Sequence, residues 1–537
     1  MRGNKTAGYG EKRSGQLISL NPADLTEVGQ VQITAPGDVK RVVDWARVVQ
    51  TSWQETELEE RLHILKRARD LLFRNVYALA ELITQEMGKP IAESFSAEME
   101  ASLDLFDYYL RHAARWLKTQ RVRLHNPVFR RRRCWNVIEP VGVFGLITPW
   151  NWPVLIPLGT IVPALLAGNA VVFKPSEYTP LVGRRLWEIF REAGLPSGVF
   201  EIVYGARETG EALVESGVDK IFFTGSTRVG RRVMAAAAKR LSQVVLELGG
   251  NDAAIVRKDA DLDYTTSGLL WASFSNCGQN CNGAERIYVH EQVLPEFLDL
   301  FLQKIDKLRI GPGLHEETDL GPLATPHQRE KIEKLVEKAI KRGAQLLCGG
   351  ERPAGFSGYF YRPTVLLWKN IQEEPEGEEI FGPVACVVPV RNDEEAVRAA
   401  NRSRYGLTAS IWTRNTAEAR KMARKLRTGT VLINDMVTSF GFPEAGWTGQ
   451  KESGIGWVHG EKGFDEMVVI KFVTEEPQAR TQKFWWFPYS EQVRTGMERA
   501  IRFLYSPNLW ERVAALPGTV RNFAPYLLFN SRKREKL

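Results

Sequence analysis

Residues 140–173 contain no Asp, Glu, Lys or Arg, and this run of 34 residues constrains the fold more than any other feature of the chain. Its length alone would let it cross a bilayer. However, it carries Pro140, Pro149, Pro153, Pro157 and Pro163 together with four glycines. Five prolines would interrupt one helix repeatedly. The run therefore reads as a buried strand, a Pro-rich turn, a buried helix and a second buried strand, Ala170-Val171-Val172-Phe173. Strands covered on both faces of a parallel sheet show such unbroken apolar stretches.

The rest of the chain agrees with that reading. Residues 38–120 carry apolar side chains at three- and four-residue spacing and predict helices. From Val141 on, short apolar runs ending in Gly or Pro (GVFGLITP, NAVVFKP, GVFEIVYG, DKIFFTG, QVVLELGG) alternate with amphipathic stretches such as PLVGRRLWEIFREAG. This alternation predicts a parallel sheet wound with helices. A second series begins near Asn251 and includes NDAAIVRK, RIYVHEQ, CVVPVRN, ASIWTRN and TGTVLIND, so a second α/β domain is expected. A chain of 537 residues exceeds one hydrophobic core. EMVVIKFVTEE, after Gly463, reads as a single strand.

Five cysteines, at 134, 277, 281, 348 and 386, are too few and too scattered for a disulfide framework. Cys277 and Cys281 have no second Cys pair or His cluster beside them, so no metal site is expected. The first fifteen residues lack the apolar core of a secretory signal, and a reducing cytoplasm is the expected location.

Several polar residues stand where chemistry is cheap to build. Cys281 lies in SNCGQNCNGAER, among Gly, Gln and Asn that suit a tight turn at a helix start. A helix N-terminus lowers a thiol pKa and favours the nucleophilic thiolate. A small buried hydrophobe is the alternative for a lone Cys, and Cys277 reads that way. Glu247 ends an apolar strand and precedes two glycines. Burial there would raise its pKa toward that of a general base, unless it pairs with a basic neighbour. Asn151, in TPWNWP, either donates its amide to an oxyanion or shapes the turn. Lys174, Ser176 and Glu177 follow a buried strand, where ligands bind in open α/β sheets. Gly225-Ser226 lies between a strand and a helix, so Ser226 either meets a phosphate or simply caps that helix.

TPWNWP, VVFKPSE, FTGSTRVG, LELGGN, GQNCNGAER, EEIFGPV and NRSRYGLTASIWTRN occur in one order. Together they resemble the aldehyde dehydrogenase superfamily over roughly residues 16–475, and look closest to the branch with carotenoid-dialdehyde dehydrogenases. The resemblance implies an α/β fold in three parts. A Rossmann-type dinucleotide-binding domain covers 1–125 and 145–250, a catalytic domain 251–435, and a small oligomerisation sheet 126–144 and 460–475. Residues 476–537 form a separate tail. It implies Cys281 as nucleophile, Glu247 as general base, and Asn151 with the Cys281 N–H as oxyanion hole. Lys174 and Glu177 would hold the adenosine ribose, with Ser176 beside them. Gly225 and Ser226 would meet the pyrophosphate, Glu379 the nicotinamide ribose, and Phe381 would pack beside it. Glu177 favours NAD over NADP, although some relatives with Glu here use NADP. A homodimer or tetramer is implied.

One motif departs from the family pattern. The usual PFGGxKxSGxG reads here from Gly446 through Trp447, Thr448 and Gly449 to Gly456. Trp447, Trp152, Leu155 and Gly159 are expected to line the aldehyde tunnel. Its walls are apolar, and Gly159 replaces a bulky aromatic of some small-aldehyde members, so a wide tunnel and an apolar aldehyde, medium- to long-chain or aromatic, are expected. Two rivals are a CoA-acylating dehydrogenase and a non-catalytic protein with this fold. The first has no use for a water-activating Glu247. The second has no use for the intact set of Cys281, Glu247, Asn151, Lys174 and Glu379.

The net charge of +8 is concentrated at one end. Residues 476–537 hold eleven basic and five acidic side chains, so the body is nearly neutral and no nucleic-acid partner is expected. The tail opens with Phe484-Trp485-Trp486-Phe487-Pro488-Tyr489. Val493, Met497, Ala500, Ile501 and Leu504 then share a helical face, and Trp510, Tyr526–Phe529 and Arg532–Arg534 follow. Aromatic clusters beside basic residues suit a lipid interface. Packing on a neighbouring subunit is the alternative. Arg130–Arg133 read as an exposed hairpin of the oligomerisation sheet.

Overall fold

The computed structural model describes residues 12–13, 15–126, 129–130, 132–373, 378–477, 483 and 486–527. Contacts divide the chain into two compact units. One comprises the residues up to Lys118 with Ile138–Val469, and the other Thr119–Val137 with the residues from Ile470 on.

The first unit holds a six-stranded sheet. Its order is Gly454–Ile455, Gln243–Glu247, Lys220–Thr224, Val143–Ile147, Ala170–Lys174, Phe200–Ile202. The last five are parallel, and Gly454–Ile455 closes the edge antiparallel. The chain starts at Val143–Ile147, winds outward to Phe200–Ile202, then crosses back to Lys220–Thr224 on the other side. Ligands of such sheets bind beyond the strand C-termini where the winding reverses, which here means beyond Ile147 and Thr224.

The charge-free run supplies the middle of this layer. Val143–Ile147, the helix Leu155–Leu166 and the strand Ala170–Lys174 are buried at every residue. A helix so enclosed has no water to satisfy its first amides. Glu98 does this instead, accepting from the Val154 and Leu155 N–H groups at 3.1 and 2.9 Å. Glu98 sits in a π-helical turn, Ser94–Glu100, within the N-terminal helices Pro36–Trp53, Leu58–Arg74, Val76–Met87 and Ala101–Trp116. Leu65, Ala68, Leu72, Ile83, Leu105 and Phe106 from these helices share one core with Leu155–Leu166.

A seven-stranded sheet follows. Its order is Gln345–Cys348, Thr364–Leu367, Val384–Val390, Ala284–His290, Asp252–Val256, Thr408–Trp412, Thr430–Ile433. Only Gln345–Cys348 runs antiparallel.

A three-stranded sheet is ordered Val468–Glu475, Arg133–Pro140, Gln120–Arg121. Gly460–Asp465, which the sequence reading included in this sheet, is helical. In the second unit the helix Glu491–Tyr505, capped by Ser490, packs against Leu509–Leu527. Met497, Ile501, Leu509, Trp510, Val513 and Val520 remain exposed, as do Trp486, Phe487 and Tyr489. Phe484, Trp485 and residues 528–537 of the expected tail pattern lie outside the described residues, as does Arg131. No helix among the described residues is long and apolar enough to cross a membrane.

Candidate active site

Glu247 is the last residue of its strand and is buried. Its Oε2 accepts from the Trp447 indole N–H at 2.8 Å, while Oε1 has no partner. Burial pushes the carboxyl up to about 8, and the Trp447 hydrogen bond opposes this. The partner is thus a neutral donor and not the basic neighbour that the sequence left open. The two glycines that follow are required by close approach. A Cβ on Gly250 would lie 2.2 Å from the Cys281 carbonyl oxygen, and one on Gly249 2.7 Å from a Glu379 oxygen. The strand end, the Cys281 segment and the Glu379 loop therefore meet at one point.

Cys281 does not start a helix. The 3-10 turn Ser275–Gly278 ends before it, and the strand Ala284–His290 begins after it. Asn276, Cys277 and Gly278 have φ of 53°, 54° and 67°. The amide side chains that suggested a helix start instead bond the loop itself. Asn280 Nδ2 donates to the Ser275 carbonyl and Oγ, both at 3.0 Å, and Gln279 Nε2 to the Asn276 carbonyl at 2.8 Å. Such local bonds compete with helix formation. The expected lowering of the thiol pKa is reversed as well. Burial pushes the Cys281 thiol up, and Asp252, Glu247 and Glu379 add to the rise; only its own backbone N–H opposes it.

Asn151 is buried beside this loop, its Nδ2 donating to the Gln279 carbonyl at 3.1 Å and its Oδ1 unpartnered. Its own carbonyl accepts from Lys89 Nζ at 2.9 Å and Asn276 Nδ2 at 3.2 Å. Lys89 is fully buried, pairs with Glu98 at 3.1 Å and lies 3.8 Å above the Trp152 ring. One lysine thereby ties the Asn151 turn to the carboxylate that caps Leu155–Leu166. Glu93 adds a second tie, accepting from the Asn276 N–H at 2.8 Å.

Cys281, Glu247, Trp152, Leu155, Gly159 and Trp447 line one chamber of about 310 Å³. The room that Gly159 frees is occupied: a Cβ there would stand 3.1 Å from Nε2 of His459. Gly159 thus makes room for an imidazole and does not widen the chamber as the sequence suggested. Asn151 is not among the lining residues.

A groove of about 710 Å³ lies beyond Ile147 and Thr224, where the winding reverses. Lys174, Ser176, Glu177, Gly225 and Ser226 line it. Lys174 Nζ donates to the Pro175 carbonyl at 2.9 Å and to Glu177 at 3.4 Å. Ser226 caps the helix Thr227–Ala238 by accepting from the Val229 N–H, so its hydroxyl takes the capping option while still facing the groove. Glu379 and Phe381 are not part of that lining. Glu379 accepts from the Gly250 N–H at 3.0 Å, and burial pushes it up to about 7. Phe381, at φ 57°, meets Trp150 edge-on at 5.7 Å between ring centroids. Both sit on a loop gripped by Glu285, which accepts from the Ile380 and Phe381 N–H groups at 3.0 and 2.8 Å.

Lys89, Glu93, Glu98, Glu285 and His459 were not singled out from sequence. The first four act through partners far away in the chain, whereas the ring nitrogens of His459 have no hydrogen-bond partner among the described residues, and only Glu285 lies in a motif read there.

A doubly wound domain and an α/β domain that meet over a cysteine, a buried carboxylate and a nucleotide-sized groove define an oxidoreductase fold. The chain matches the model of the Aldehyde dehydrogenase family over residues 9–473 and belongs to that family. It is 36% identical to a betaine aldehyde dehydrogenase of Bacillus subtilis (strain 168) over 84% of this chain and 93% of that one. It is equally, 36%, identical to a mitochondrial succinate-semialdehyde dehydrogenase of Oryza sativa subsp. japonica over 86% of each. An aldehyde dehydrogenase from Bacillus cereus, solved as its NAD+ complex, superposes with a TM-score of 0.82 at 33% identity, covering 86% of this chain and 93% of that one.

Proposed function

We propose that the protein oxidises an apolar aldehyde, medium- to long-chain or aromatic, to its carboxylic acid with NAD, through a thioester on Cys281. The observation that carries this is the chamber. Cys281 and a Glu247 whose carboxyl sits near 8 share it, and no Lys or Arg stands among its described lining residues. A substrate carboxylate would find no cation there.

The Cys281 sulfur attacks the aldehyde carbon as its proton passes to a water molecule and on to solvent, since burial holds the thiol neutral beforehand. The Cys281 N–H and the Asn151 amide stabilise the resulting oxyanion. The groove suits NAD: its floor is the reversal point of the sheet, its phosphate end is a helix N-terminus at Ser226, and Lys174 and Glu177 stand where ribose hydroxyls need a donor and an acceptor. NAD, when bound, supplies the hydride acceptor. Glu247 then takes a proton from water, which opens the thioester and releases the acid. Glu379, against Gly250, and Phe381 position the nicotinamide end. The two relatives named above act on charged aldehydes by their names, so the decisive experiment is a substrate panel. A kcat/KM for decanal or benzaldehyde at least about tenfold above those for succinic semialdehyde and betaine aldehyde is expected. The reverse order would overturn the apolar reading.

Two further assignments belong to this reading. The three-stranded sheet, with Ile470 and Phe472 exposed on its edge strand, joins copies into a dimer or tetramer. The tail rests on an anionic lipid surface, supported by its exposed Trp486, Phe487, Trp510 and Val513 beside Arg494, Arg499, Arg502 and Arg521. Full-length protein should float with phosphatidylserine-containing vesicles at low salt, and a chain ending at Glu475 should not. If both stay behind, the tail belongs to the oligomer.

A further inference from the structure

Lys89 Nζ has three neighbours in the interior, one for each of its N–H donors. They are the Glu98 carboxylate at 3.1 Å, the Asn151 carbonyl at 2.9 Å and the Trp152 ring at 3.8 Å. An ammonium carries three donors and no acceptor, so a carboxylate, a carbonyl and a ring face satisfy it completely. All three are electron-rich, and each favours the charged form. Burial pushes the Lys89 pKa down, against Glu98 and Glu93. Buried ion pairs often contribute no more stability than well-packed apolar residues of similar volume. Stability alone therefore does not account for a lysine in this position.

The Asn151 end of the contact is a closed circuit. The Asn151 carbonyl accepts from a second donor, Asn276 Nδ2, at 3.2 Å, and the same amide reaches the Gln279 carbonyl at 3.3 Å. Asn151 Nδ2 donates to that Gln279 carbonyl at 3.1 Å. The backbone and the side chain of Asn151 are thus both tied to the loop that carries Cys281. Glu93 holds this loop too, through the Asn276 N–H at 2.8 Å. Lys89, Glu93 and Glu98 lie on one short stretch that runs into the π-helical turn Ser94–Glu100, and the last two are separated by the i→i+5 spacing of such a turn. The Lys89 backbone is pinned as well. A Cβ on Gly313 would lie 2.3 Å from its carbonyl oxygen, and the Ile91 N–H donates to the Gly313 carbonyl at 2.8 Å.

We infer that Lys89 is a positioning residue for the oxyanion hole: it holds the Asn151 turn in register with the Cys281 loop, so that the Asn151 amide and the Cys281 N–H meet the same oxygen. This rests on the oxyanion role proposed for Asn151. Lys89 itself is not among the residues that line the chamber, and it acts through Asn151. An oxyanion donor is effective only where its hydrogen bond is aimed before the charge appears. Misplacing such a group by about 1 Å lowers the rate by up to about 10²-fold.

The test is a double-mutant cycle on the single-turnover rate of NADH formation, with the fastest aldehyde of the substrate panel above. Lys89→Met, which keeps an unbranched stem without the charge, should slow this step by about 10- to 100-fold. Asn151→Ala should slow it at least as much. Lys89→Met/Asn151→Ala should match Asn151→Ala within about threefold, because the lysine then has nothing left to position. Alkylation of Cys281 by iodoacetamide is a displacement that creates no oxyanion. Its rate in Lys89→Met should stay within about threefold of wild type, as should the Kd for NAD. If Lys89→Met fails to fold because Glu98 is left buried without its cation, Lys89→Met/Glu98→Gln takes its place in the cycle. A lysine that merely supports the core would slow alkylation together with hydride transfer, or give losses that multiply in the double variant. Either result overturns the assignment. A slow Asn151→Ala beside a Lys89→Met at the wild-type rate removes only the role of Lys89, whereas a wild-type rate in Asn151→Ala removes the oxyanion reading and this one with it.

Discussion

The chamber and the groove share a wall, Phe223 and Thr224, and handle charge in opposite ways. In the groove, charges are kept and several are paired: Lys174 with Glu177, Arg207 with Glu211, and Arg232 with the same Glu211. These are partly exposed contacts, and such pairs contribute about 0–1 kcal/mol each. They hold polar groups ready for a polar ligand without committing much stability. In the chamber, charge is suppressed. The Cys281 thiol, Glu247 and His459 are all pushed toward their neutral forms, and burial is the first cause for each. The groove is organised to bind, whereas the buried end of the chamber around Cys281 and Glu247 is organised so that charge appears there only as the reaction creates it; Glu100 lines the same chamber from an exposed position.

The sharpest way to separate the two is Cys281→Ala. NADH formation should fall by at least about 10⁴-fold, the scale for removing a covalent nucleophile. The Kd for NAD, measured by calorimetry, should stay within about threefold. Activity at the wild-type rate would remove Cys281 from the chemistry, and lost NAD binding would mean that the two cavities are not separable.

Glu247→Gln tests the chamber from the side of its base. One NADH per site should appear as a burst, followed by steady turnover slowed by about 10²- to 10⁴-fold. In the wild type the working form is the carboxylate. With the group raised to about 8, deacylation should increase as the pH climbs through 8 and decline below it. A flat stopped-flow profile from pH 6 to 9 would break the assignment of Glu247 as base.

The smallest effect belongs to the groove. Lys174→Met removes a charged donor, worth about 1.5–3 kcal/mol, and should weaken NAD by roughly 10- to 100-fold while leaving kcat at saturating NAD nearly unchanged. A kcat loss as large as the loss in affinity would place Lys174 in the chemistry and blur the contrast.

The burial of Glu247 was legible in the sequence because its signal is local: an apolar strand that ends in a carboxylate, then Leu248 and two glycines. The charge-free run was legible for the same reason, since its prolines and glycines mark where each buried element stops. Cys281 was legible as a position but not as an environment. Asn280 and Gln279 look alike whether they start a helix or brace a loop, and only the positive φ at Asn276 and Cys277 decides. Lys89, Glu98 and Glu285 were illegible because their meaning is a contact 56 to 96 residues away. A buried Lys89 reads as an ordinary surface lysine until Glu98 and the Asn151 carbonyl are seen around it. His459 hid differently. It follows a motif already noted for its departures, but which face it turns inward depends on a backbone conformation that no propensity predicts.

Gly454–Ile455 pairs with Leu246 and Glu247, and Trp447 reaches the same carboxylate from a few residues upstream. A growing chain that has emerged as far as Val437 therefore already holds Asn151, Glu247, Cys281 and Glu379. Its Glu247 still lacks the indole, and Gln243–Glu247 is still the bare margin of its sheet. Bare strand margins recruit other chains. One late segment removes both defects at once, covering the edge and completing the base. A chain interrupted before Trp447 is thus expected to be inert and prone to aggregate, and competence arrives only as the last of the family-matched region leaves the ribosome.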